Sequence, residues 1–100
     1  MSRDDFISAI DRAAPDLRAA GLSALYLFGS RARGDFHEDS DIDFAFDVAD
    51  EADDNFSLLD QARLQVRLQR LLGRKVDFIE RRALRPRIRQ RVEAEMVRLL

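Results

Sequence analysis

Asp41 and Asp43 stand two residues apart in a stretch, Asp41 to Val48, where polar and apolar residues alternate. On an extended strand that spacing sends both carboxylates from one face, roughly 6.5–7 Å apart along the chain. Two such groups repel unless positive charge lies between them. A divalent cation meets that need, because Mg²⁺ takes hard oxygen ligands, commonly one or two carboxylates with phosphates and waters. A bare Asp-x-Asp is also the ordinary solvated face of an edge strand, so the pair alone decides little. Asp77 lies between Val76 and Phe78 in another short run and projects opposite to their apolar face. From a neighbouring strand, a third carboxylate could complete a metal site or take a proton from an attacking hydroxyl.

Upstream, the apolar run ending in Phe28 passes directly into Gly29-Ser30. Glycine lets backbone approach phosphate oxygens closely, and the next N–H groups with a serine hydroxyl can donate to them. Neither Gly-x-x-x-x-Gly-Lys-Ser/Thr nor Gly-x-Gly-x-x-Gly occurs, which excludes a P-loop and removes the usual dinucleotide argument. Arg31 and Arg33 flank the small loop as candidate phosphate contacts, although Arg33 is equally placed to pair with Asp35 or Glu38. His37, the one histidine, falls in the loop and reads as exposed rather than as a proton carrier. Tyr26 reads as core.

The elements that must position these residues follow from hydrophobic period. Phe6, Ile7, Ile10, Ala13, Ala14 and Leu17 have helical spacing, with Ser2 as N-cap, Gly21 as terminator and a break or kink at Pro15. Ala24 to Phe28 is a strand buried on both faces. Residues 34–40 form a loop, and 41–48 form a strand with one packed face. After an acidic loop from Asp50 to Asn55, Leu58, Leu59, Ala62, Val66, Leu68, Leu71 and Leu72 outline a helix stopped by Gly73. Lys75 to Ile79 is a third strand, and Leu84 to Leu100 a closing helix with Pro86 in its first turn. Helix, strand, strand, helix, strand, helix makes an α/β (α+β) fold, a small mixed sheet covered by helices.

Composition narrows the classes. The 100 residues fit one domain, 1–100, and 46% hydrophobic with 36% charged residues is globular. No apolar run approaches the roughly 20 residues of a membrane span, the start lacks a signal-peptide core, and the absence of cysteine removes thiol chemistry. These point to a cytoplasmic protein with no membrane partner. Residues 1–60 carry 15 acidic and 5 basic side chains, and residues 61–100 carry 4 and 12, so −10 and +8 sum to the net −2. Arg81, Arg82, Arg85, Arg87, Arg89 and Arg91 could touch a phosphate backbone. However, no aromatic residues interleave them and the acidic half repels nucleic acid.

Leu27-Phe28-Gly29-Ser30-Arg31-Ala32-Arg33-Gly34, followed by Ser40-Asp41-Ile42-Asp43-Phe44, resembles the signature of the DNA polymerase beta nucleotidyltransferase superfamily. More narrowly it resembles the minimal nucleotidyltransferase (MNT) group, with Phe44 in place of the more usual aliphatic residue. The motif covers about 18 residues, and the order of elements extends the likeness along most of the chain. The resemblance implies that Asp41 and Asp43 bind Mg²⁺, that Asp77 completes the metal site and activates the acceptor hydroxyl, and that Gly29 and Ser30 hold the triphosphate. It further implies an antitoxin that uses ATP to adenylylate a tyrosine of a HEPN-domain toxin, as part of a hetero-oligomer or homo-oligomer. Alternatives are an interaction protein that neutralises its partner by binding alone, and nucleotidylation of a small molecule of aminoglycoside type.

Overall fold

The structure, a computed structural model, describes residues 3–29 and 41–100. Helix α1, Arg3–Ala19, lays Phe6, Ile10, Ala14 and Leu17 along one buried stripe. Asp4 and Asp5 begin it and Arg18 ends it, each sign matched to the helix dipole. Of the break or kink expected at Pro15, the break does not occur. Proline forfeits one backbone bond, yet Leu17, only 1% exposed, holds the last turn against the core. Ser2, the expected cap, lies outside the described residues.

Strand β1, Leu22–Phe28, pairs antiparallel with β2, Ile42–Val48. A 3₁₀ turn over Asp50–Asn55 replaces the expected acidic loop and leads to helix α2, Leu58–Leu72. Ser57 and Asp60 form a reciprocal capping box at its start, and Gly73, at φ 66°, closes it in the left-handed conformation. Strand β3, Val76–Glu80, then pairs parallel to β2.

Helix α3 covers only Pro86–Glu95, shorter than the expected helix to Leu100. Met96 turns extended, and Val97–Arg98 form a short strand β4 against Leu27 and Tyr26. Leu99 then donates its N–H to Leu25 O at 2.7 Å. No glycine or proline announces this stop. The open edge of β1 supplies the hydrogen bonds that end the helix, a tertiary demand invisible in local propensity. The sheet order is β3-β2-β1-β4, mixed as expected.

Helices α1 and α2 cover one face, where Leu25, Leu27, Ile42, Phe44, Phe46, Val76 and Phe78 form the main core. Phe46 stacks on Phe78 with ring centroids 4.2 Å apart. On the other face Tyr26, Ala45 and Val92 of α3 form a smaller cluster. The polar side of β2 is therefore not simply solvated: Ala45 is fully buried under α3.

Candidate functional site

Parallel pairing of β2 with β3 sets Asp43 directly beside Asp77. Alternation then turns both carboxylates to the face opposite the main core, on backbones about 4.8 Å apart. Asp41, just before β2, keeps the same parity. It lies 3.8 Å from Lys75, and the two strands are tied at this point by Ile42 N–H donating to Lys75 O at 3.0 Å. Both side chains are well exposed, so this ion pair is weak and readily exchanged.

Gly29 follows β1, whose last residue, Phe28, stands opposite Asp43. Its φ is 76°, and a Cβ built there would run into the Asp43 carboxylate. Two independent constraints thus require glycine, the left-handed backbone and the bare approach to a carboxylate. Gly29 is expected from its sequence setting to approach phosphate; the neighbour it meets in the structure is Asp43. Ser30, Arg31 and Arg33, together with His37, lie outside the described residues.

The sheet thus gathers Gly29, Asp41, Asp43 and Asp77 at one end. Among the described residues no three acidic or histidine side chains converge into a ready-made cage for an ion. In-register carboxylates of this kind suit a hard cation that draws its other ligands from phosphate oxygens and water, the coordination Mg²⁺ prefers.

A second polar cluster was not anticipated. Tyr26 donates from its hydroxyl to Asp47 Oδ2 at 2.9 Å, and Arg81 Nε donates to Asp47 Oδ1 at 2.9 Å. Arg81 also donates from a terminal nitrogen to Glu93 of α3 at 2.8 Å, and its guanidinium lies 5.9 Å from the Tyr26 ring centre. Burial, reinforced by the bond to Asp47, pushes the Tyr26 hydroxyl above its ordinary pKa. The Asp47 bond likewise raises Arg81. Arg81, one of the arginines for which the sequence disfavoured a phosphate-backbone role, is consumed in tying α3 to the sheet. Asp47 and Tyr26 have the strand parity that could have signalled this cluster, but Arg81 arrives from 34 residues away. A polar recess of about 330 Å³ beside Asp47 and Arg81 opens at the opposite end of the strands and includes none of the four site residues.

The chain belongs to the nucleotidyltransferase domain family, which it matches over residues 10–99. It is 35% identical over 86 residues to a candidate protein adenylyltransferase of Methanocaldococcus jannaschii, covering 86% of this chain and 88% of that one. A solved structure of a candidate minimal nucleotidyltransferase superposes with TM-score 0.82 at 33% identity, covering 97% of this chain and 95% of the other. A chain of a toxin–antitoxin complex with AMP-PNP matches at TM-score 0.70 and 26% identity, over 100% of this chain and 73% of that one. A chain from a complex of a tri-AMPylated Shewanella oneidensis HEPN toxin with its MNT antitoxin shares the fold, with TM-score 0.69 and 24% identity over 98% and 71%. Among the described residues no helix is long and apolar enough to cross a membrane.

Proposed function

We propose that the protein transfers AMP from ATP to a hydroxyl, and that the hydroxyl belongs to a tyrosine of a HEPN-domain toxin, which the chain restrains as an antitoxin. The observation that carries the chemistry is the pairing of Asp43 with Asp77 beside Gly29. Asp41, Asp43 and Asp77 would hold Mg²⁺, which supplies neutralisation of charge on the triphosphate. Gly29 and Ser30, with Arg31 and Arg33, would cradle the phosphates. Asp77 takes the proton as the acceptor oxygen bonds to the α-phosphorus; the bond from that phosphorus to the bridging oxygen breaks, and pyrophosphate leaves. The acceptor is argued by likeness, from a relative named for protein adenylylation and neighbours solved as toxin–antitoxin complexes.

The test is incubation with labelled ATP, Mg²⁺ and a HEPN-domain partner. Wild type is expected to label a partner tyrosine, and the D41N/D43N double variant to label nothing. Neutralisation that survives the double substitution would overturn the catalytic account in favour of binding alone.

A further inference from the structure

Three of the chain's four glutamines, Gln61, Gln65 and Gln69, recur at four-residue spacing. Such a spacing places them in one row along α2. All three are half-buried and face the outer edge of β3, the strand that among the described residues pairs with β2 alone. Gln61 Nε2 donates to Phe78 O at 3.0 Å and Gln65 Nε2 donates to Val76 O at 2.8 Å. The Val76 N–H in turn donates to Gln69 Oε1 at 3.1 Å.

An exposed strand edge ordinarily leaves such groups to water or to another chain. Here side-chain amides take the place of a further strand, and the two carbonyls they grip are those flanking Asp77. The inner edge of β3 is fixed by β2 and the outer edge by α2. The peptide carrying Asp77 is therefore held from both sides.

We propose that Gln61, Gln65 and Gln69 are positioning residues that keep Asp77 level with Asp43. Leucine or methionine in their place would fill the same volume, remove the donors that Gln61 and Gln65 offer to the carbonyls of Phe78 and Val76 and the acceptor that Gln69 offers to the Val76 N–H, and free β3 to shift along α2. This rests on the reading of Asp77 as a member of the metal site.

The test is a double-mutant cycle on the whole chain: wild type, Gln65→Leu, Asp77→Asn and the combination. Each is measured by calorimetric titration with Mn²⁺ and by thermal melting. Gln65→Leu is expected to melt cooperatively and to weaken Mn²⁺ binding roughly ten-fold, the usual scale for losing a supporting hydrogen bond behind a ligand. In the Asp77→Asn background it should add nothing, because its effect passes through Asp77. Equal weakening in both backgrounds, or none in Gln65→Leu, overturns the positioning role and leaves the site reading intact. Asp77→Asn with wild-type Mn²⁺ affinity and wild-type label transfer overturns the reading of Asp77 and the proposal with it. If Gln65→Leu does not fold, Gln61→Met, which removes the bond on the other side of Asp77, takes its place in the cycle.

Discussion

At position 29 one methyl group separates an accommodated backbone from a blocked one. Gly29→Ala must place a Cβ against the Asp43 carboxylate while holding a φ that alanine disfavours. The expected cost is about 1–3 kcal/mol of stability for the strained backbone, together with loss of label transfer. Thermal melting and the transfer assay measure the two separately, and unchanged values in both would contradict the described contact. The carboxylates were legible at this scale because a period of two is a local property of a strand. Asp77 was legible there too as a carboxylate on a neighbouring strand, but its register against Asp43 was not. Asp43 and Asp77 are 34 residues apart, and only the register of a parallel pair brings them level. Lys75, beside Asp41, gave no signal in the sequence beyond its place at the head of a strand.

Among the elements, α1 carries the clearest local conflict. Pro15 sits exposed inside a continuous helix and leaves an acceptor of the preceding turn without its backbone N–H. Pro15→Ala restores that donor and is expected to raise stability by about 1–3 kcal/mol, visible as a higher melting temperature with transfer unchanged. A lowered melting temperature would show that the ring itself packs usefully. Helix α2 shows why existence is easier to read than orientation. Of the residues that outlined it in sequence, Leu58, Leu59, Val66 and Leu71 are exposed and Leu68 and Leu72 are buried, together with Leu64, which the pattern left out. Two apolar stripes lie on one helix, and sequence alone does not say which faces the sheet. The glutamine row between them, which decides how α2 meets β3, looked like ordinary helix surface. Strand β4 was hidden for a related reason, since Met-Val-Arg-Leu-Leu is compatible with helix until a free strand edge is offered.

The described residues have their main apolar core on one side of the sheet and a partly buried polar tie on the other. Tyr26, Asp47, Arg81 and Glu93 join β1, β2 and α3 through charge-assisted bonds. Because folding raises the Tyr26 pKa above 10.0, the stability linked to this proton is fully present below pH 10. It is lost as pH climbs through the raised folded value. Tyr26→Phe is expected to cost about 1 kcal/mol at neutral pH and to flatten that alkaline limb, measured by denaturant titration across pH 8–12. An alkaline limb as steep as that of wild type would assign the titration to another group. Charge asymmetry between the two halves was plain in the sequence. What it left unseen is that one of the basic residues, Arg81, is spent internally.

The parallel pairing of β2 with β3 also sets an order of events in time. β1 and β2 need only a short connection to meet, whereas β3 reaches its place after the whole of α2 has been traversed. Less local contacts form more slowly, since chain must be closed before they reward it. A chain growing from its N-terminus thus exposes Asp41 and Asp43 to the cell while Asp77 is still unmade; the pairing that brings the third carboxylate in follows that of β1 with β2, and the docking of β4 on β1 comes later still. On the proposed reading, a nascent or half-folded chain can neither grip the metal fully nor accept the proton, so maturation and competence arrive together.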